Sequence, residues 1–162
     1  MTDGQSGRAT LIQRPNTLKA KVGMGGNLSA EMRSAADRAV GTLATDYPAL
    51  ALTDINRMLQ LLQSAKSDPA RAADTLQAVH RIAHDMRGQG GSFGYPLMTR
   101  IAASLSLLTE NARRHDAEML GVVRAHLDAM RAIIVNRTTG DGDATAQQIV
   151  RGLDLVARKV KG

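Results

Sequence analysis

Between residues 80 and 94 the chain reads His80-Arg81-Ile82-Ala83-His84-Asp85-Met86-Arg87-Gly88-Gln89-Gly90-Gly91-Ser92-Phe93-Gly94, and residue types able to do chemistry collect here. Positions i, i+3, i+4 and i+7 of an α-helix share a face. Counted from His84, that face carries Arg87, Gly88 and Gly91. A glycine inside a helix costs about 1 kcal/mol relative to alanine, so a cluster of them near a helix end asks for a reason. Clearance is one. The imidazole would have no bulky neighbour on its C-terminal side, so another protein could approach it closely. Arg87, one turn away, would offer a guanidinium, a good match for phosphate oxygens. The apolar set Val79, Ala83 and Met86 lies beside this face, so His84 is expected to flank the core and reach solvent. A helical histidine is ordinarily a surface residue and terminal glycines are ordinarily C-caps. The joint arrangement, closed by Gly94, favours a functional reading.

Gln77, His80, Arg81 and Gln89 are placed by helical position on the rim of that surface, as partner contacts. His80 and His84 have the i, i+4 spacing of a metal pair, but the glutamate of the metalloprotease motif and further ligands are missing. A docking-surface or solvated role is the simpler reading for His80. Asp85 is expected to point away from the Arg87–Gly88 ridge into solvent. His115 and His126 have no companions at motif spacing, and Asp141-Gly142-Asp143 lacks the remaining positions of a calcium loop.

The elements that must hold this stretch read as helices. The chain has no Trp, one Phe and two Tyr, so strand-favouring aromatics are scarce while Ala, Leu and Met are plentiful. Glycines and a proline interrupt residues 1–28, which read as a disordered leader ahead of a single helical domain over 29–160. Ser29 can cap a first helix with Met32, Ala35, Ala36, Ala39, Val40 and Leu43 as its apolar stripe. Tyr47-Pro48 is expected to end or bend it. A second helix over 49–66 points Leu52, Ile55, Leu59 and Leu62 inward. Asp68-Pro69 opens a third over 69–91, with Ala72, Leu76, Val79, Ala83 and Met86 on one face. The fourth, over 95–113, turns in Leu97, Ile101, Leu105 and Leu108. The fifth, over 117–136, turns in Leu120, Val123, Leu127, Met130 and Ile134. Asp143 caps a last helix to about 159, with Ala146, Ile149, Leu153, Val156 and Val160 inward. Short connections make consecutive helices antiparallel neighbours.

Composition excludes several functions. There is no cysteine, hence no disulfide, thiol nucleophile or thiolate metal cage. Neither a signal-peptide apolar stretch nor a run of roughly 18 apolar residues is present, which leads to the expectation of a soluble cytoplasmic protein without membrane association. The net charge of +6 sits at the ends: residues 1–30 carry +3, 137–162 carry +2, and the stretch between only +1. A nucleic-acid face would concentrate charge on one folded surface, so no nucleic-acid partner is expected. No Gly-Lys-Ser/Thr phosphate loop follows the glycines at 23–26, so no ATP site is expected either.

The segment His84-x-x-Arg87-Gly88, followed by Ser92-Phe93-Gly94 and an apolar helix, resembles the motif of the histidine-containing phosphotransfer (HPt) family. That motif runs His-x-x-Lys/Arg-Gly, several small residues, an apolar residue and a second glycine. Arginine here replaces the more usual lysine and keeps the charge. The resemblance covers about residues 50–136 and implies an all-α, up-down antiparallel four-helix bundle, with the first and last helices as additions. It implies His84 as phosphoacceptor and Arg87 as the basic residue beside it. Gly88 and Gly91 would keep the site open, and Phe93-Gly94 would mark the turn into the next helix. The implied partners are response-regulator receiver domains and a hybrid histidine kinase. The Mg²⁺ would sit on the receiver and no cofactor on this chain. The chain would then be a monomeric carrier without kinase activity of its own. Two alternatives stay open: a dimeric kinase-like phosphotransferase, and a non-catalytic helical adaptor in which the histidines are incidental. A helical metal-binding protein is more distant.

Overall fold

A computed structural model of the chain describes residues 29–161, all helix, turn or loop with no strand among them. The leader expected over 1–28 lies outside the described residues. The chain falls into two compact units, one up to Arg38 and one from Ala39 onward that holds the core. The helices are α1 (Ala30–Ser67), α2 (Ala72–Gln89), α3 (Pro96–Thr109), α4 (Ala117–Val135) and α5 (Ala144–Lys161). Single 3-10 turns, Pro69–Arg71 and Gly90–Phe93, bracket α2.

The expected first and second helices are one. Ser29 does cap α1, accepting from Met32 N at 3.2 Å, but Tyr47-Pro48 does not end it, and Pro48 sits inside. The reason is visible in the packing. Tyr47, Ala51, Ile55, Met58, Leu62 and Ala65 are all buried and form one helical stripe that runs straight across the proline. A proline inside a helix costs about 3 kcal/mol. Full burial of each large apolar side chain returns roughly 1.5–3 kcal/mol, so continuing the helix wins. Leu52 and Leu59, expected inward with Ile55 and Leu62, are only half-buried. Of the stripe expected upstream, Met32, Ala35, Ala36, Ala39 and Val40 face solvent, with Met32 60% and Val40 54% exposed.

The inward sets expected for α2, α3 and α4 are all buried. Asp68 and Asp116 cap the turns ahead of α2 and α4, accepting from Ala70 N at 3.1 Å and Met119 N at 2.9 Å. α3 stops at Thr109, four residues before the expected end. Glu110 is extended, and Asn111 turns left-handed at φ 49°, which asparagine tolerates. α3 is the central helix, packed against α2, α4 and α5, and nine of its fourteen residues are buried.

In α5 the inward face is turned by one residue. Val150, Ala157 and Val160 are buried, whereas Ile149 and Val156, expected inside, are 50% and 43% exposed. Adjacent apolar pairs at 149–150 and 156–157 support either face, and contact with α3 and α4 selects one. Asp143 caps this helix as expected, accepting from Ala146 N at 2.8 Å.

The chain's only Phe and both Tyr meet in one cluster. The ring centroid of Tyr47 is 5.0 Å from that of Phe93, stacked, and 5.5 Å from that of Tyr95. This cluster ties α1 to the turn that follows α2. Burial, with help from Tyr95 and Asp54, pushes the Tyr47 phenol up to about 12.

Candidate functional site

His84 lies on the last two turns of α2, and its neighbours Ala83 and Met86 anchor that stretch in the core. Its own side chain is 60% exposed. The helix therefore presents the imidazole from a fixed backbone while leaving the ring in water, as the spacing suggested. Nδ1 stands 3.7 Å from Oδ1 of Asp85, which is 75% exposed. That is ion-pair distance and too long for a hydrogen bond, and at such exposure the pair adds little stability. Asp85 is solvated, as expected, and lies on the Nδ1 side of the ring. Burial raises the carboxyl pKa of Asp54 on α1, Arg57 opposes it, and the nearby Asp85 adds to the rise.

Arg87 and Gly88 are exposed one turn on. Arg87 makes no ion pair or hydrogen bond with another described residue, so its guanidinium is available. A Cβ built on Gly88 would meet nothing within 4 Å. Packing inside the chain therefore does not require glycine there.

The glycines behind it do different work. A Cβ on Gly90 would stand 2.9 Å from the backbone N and Oγ1 of Thr99 and from the carbonyl O of Tyr95. Gly90 is the close-approach residue that lets the end of α2 lie against the start of α3. Gly91, read from spacing as a clearing glycine, is exposed and donates its N–H to Thr99 Oγ1 at 2.8 Å. Gly94 ends the 3-10 turn in the left-handed region, φ 83°, where glycine is favoured. Gly90 and Thr99 were missed because a tertiary contact, not a sequence period, defines them.

Of the rim residues, Gln77, Arg81 and Gln89 are exposed. His80 is half-buried instead, with Nδ1 3.0 Å from the Ser106 carbonyl oxygen. Its ring centroid is 6.3 Å from that of His84. Gln77 and His80 line a cleft of about 400 Å³ with Asp74, Glu110, Asn111 and His115; His84 and Arg87 stand outside it. The structure thus brings His84, His80 and Asp85 together. It assigns Gln77 to the cleft beside them. No group of three or more His, Asp or Glu among the described residues is placed to hold a metal ion.

The fourth histidine that had no companion in sequence, His126, is wholly buried in α4 between Val122 O at 2.8 Å and Ser104 Oγ at 3.1 Å.

The structure is a helical bundle that presents an exposed histidine beside an arginine and an open glycine. The family model of the Hpt domain matches residues 42–133, more than half of the chain, and the chain belongs to that family. Domains of this family are phosphocarrier modules of two-component phosphorelays, without kinase activity of their own, and interact with receiver domains and histidine kinases. No curated protein and no solved structure matches the chain. The match runs from within α1 to within α4 and leaves α5 outside. No described helix is long and apolar enough to cross a membrane.

Proposed function

We propose that His84 accepts a phosphoryl group from the aspartyl phosphate of one receiver domain and passes it to the aspartate of another. The observation that carries this reading is the pairing of an exposed His84 with a Gly88 whose bare position no internal contact explains. A helix-interior glycine sacrifices about 1 kcal/mol of helix stability. Clearance for a docking receiver supplies the compensating reason.

In the forward step the Nε2 lone pair of His84 attacks phosphorus, and the bond from phosphorus to the receiver carboxylate oxygen breaks. The carboxylate leaves with that electron pair. The receiver supplies the Mg²⁺ that neutralises the phosphoryl oxygens. Transfer of this kind depends on positioning and electrostatics more than on covalent assistance, and this chain contributes both. α2 holds the imidazole still. Asp85, beside Nδ1, offsets the positive charge that the ring gains as phosphorus bonds to Nε2. Arg87 offers a planar cation to the phosphoryl oxygens. Arg81, Gln77 and Gln89 rim the docking face. In the onward step a carboxylate oxygen of the second receiver's aspartate attacks phosphorus, the Nε2–phosphorus bond breaks, and its electron pair returns to His84 as the lone pair of neutral imidazole.

The test is transfer from a phosphorylated receiver to the native chain and to His84→Gln. Acid-labile, base-stable label on the native chain alone is the expected result. No label on the native chain across several receivers, with the fold verified, would leave the adaptor reading standing.

A further inference from the structure

The proposed transfer uses one of two histidines that share a face of α2. We infer that the second, His80, is a titratable ligand for the phosphoryl group on His84. It engages by taking a proton at Nε2, so that falling pH stabilises the phosphorylated chain. The inference rests on His84 being the phosphoacceptor.

The geometry fixes which nitrogen is already bonded and which is open. His80 Nδ1 is 3.0 Å from the carbonyl oxygen of Ser106. A carbonyl only accepts, so Nδ1 carries its proton whether the ring is neutral or charged. Nε2 is left as the one position that changes, a lone pair in the neutral ring and an N–H donor in the imidazolium. The His84 ring lies one helical turn on, centroid to centroid 6.3 Å and tilted by 43°. A phosphoryl group on His84 that extends toward this ring would meet His80 at its unbonded Nε2 edge. Its oxygens repel the neutral Nε2 lone pair and attract the protonated form through a charge-assisted hydrogen bond. Solvent supplies the proton. The phosphoryl group is then flanked by a permanent cation, Arg87, and by one that exists only below a certain pH.

The surroundings suit that role. The Ser106 carbonyl lies in the last turn of α3, where a helix end favours positive charge. It also accepts from Glu110 N at 2.9 Å and Thr109 Oγ1 at 3.3 Å, so it is held in place. The titratable groups that face His80 are His84 and Asp74 on its own helix, and Glu110 and His115 from the segment after α3. Two of these are carboxylates, compatible with a cationic ring.

The experiment charges the full chain with potassium phosphoramidate, which needs no receiver, and follows the lifetime of the acid-labile label from about pH 6 to pH 8. Native chain, His80→Asn and His84→Gln are compared. Asparagine keeps a donor where Nδ1 stands and has nothing at Nε2. Both labelled chains share the intrinsic acid lability of phosphohistidine, so the ratio of lifetimes is the readout. The native label is expected to outlast that of His80→Asn by at least about threefold at the acid end, and to converge with it at the alkaline end. Parallel decay at every pH would overturn the inference while leaving the phosphoacceptor intact. His84→Gln labelled to the same extent as the native chain, or no label on the native chain, would instead overturn the acceptor assignment, and this inference with it. Histidine NMR of the native chain gives a readout free of any variant's folding. Phosphorylation must move the His80 titration to higher pH, and an unmoved titration would reject the proposal.

Discussion

His84 and His126 are the same residue on adjoining parts of one bundle, and they have opposite surroundings. His126 is fully buried, with both ring nitrogens occupied by Val122 O and Ser104 Oγ. The Val122 carbonyl requires a proton on Nδ1, so Nε2 of the neutral ring accepts from the serine hydroxyl. Burial pushes its pKa down, with the Val122 bond and the charge of Asp154 opposing. That ring is a structural cross-brace between α3 and α4. His84 stands in solvent with only Asp85 at ion-pair distance. The difference teaches that availability for chemistry here comes from contacts left unmade. The proposed nucleophile is the histidine that packing passes over, held by neighbours that packing does not.

That contrast can be broken most sharply at His84. His84→Gln should abolish receiver-derived label and change stability by no more than about 0.5 kcal/mol, as for other exposed substitutions, measured by phosphotransfer and by urea unfolding. A large stability loss would mean that the site is part of the core after all. The converse variant, His126→Leu, should cost about 2–4 kcal/mol, because it leaves Ser104 Oγ without its partner and reshapes a buried site. Labelling per folded molecule should be unchanged.

The same pair differs in pH response. The unfolded chain binds more protons than the folded one wherever His126 is neutral only in the folded state, so stability rises with pH across that window. The native protein should therefore lose stability as pH falls below 6.5, the ordinary histidine value. His126→Leu should lack that component of the slope in unfolding curves taken at several pH values.

The glycines sharpen the comparison further. Gly90→Ala should destabilise by about 1–3 kcal/mol, since its Cβ would press on the backbone of Thr99 and Tyr95. Gly88→Ala, with nothing within 4 Å of the added Cβ, should stabilise the chain by about 0.5–1 kcal/mol. It should also slow transfer from a receiver while leaving charging by phosphoramidate unaffected. Equal slowing of both donors would mean that Gly88 acts on the ring and not on docking.

Much of this was legible in the residues themselves. Strong 3.6-residue periodicity placed the cores of α2, α3 and α4, because each has a single apolar face and nothing to compete with it. The cap residues Ser29, Asp68 and Asp143 were readable because capping is local chemistry. The exposure of His84 followed from its register beside Val79, Ala83 and Met86.

What stayed hidden was decided at a distance. Pro48 reads as an end or a bend, and the buried stripe from Tyr47 to Ala65, with Tyr47 packed on Phe93 and Tyr95, makes an unbroken α1 the better solution. α5 has apolar residues on two neighbouring faces, and α3 and α4 choose Val150 and Ala157 over Ile149 and Val156. His80 looked like its neighbour His84 until the Ser106 carbonyl, 26 residues on, accepted a hydrogen bond from its Nδ1. Local spacing thus determined which residues share the reactive face. Long-range contacts determined which of them are free to react, because a side chain's partners are set by what folds against it.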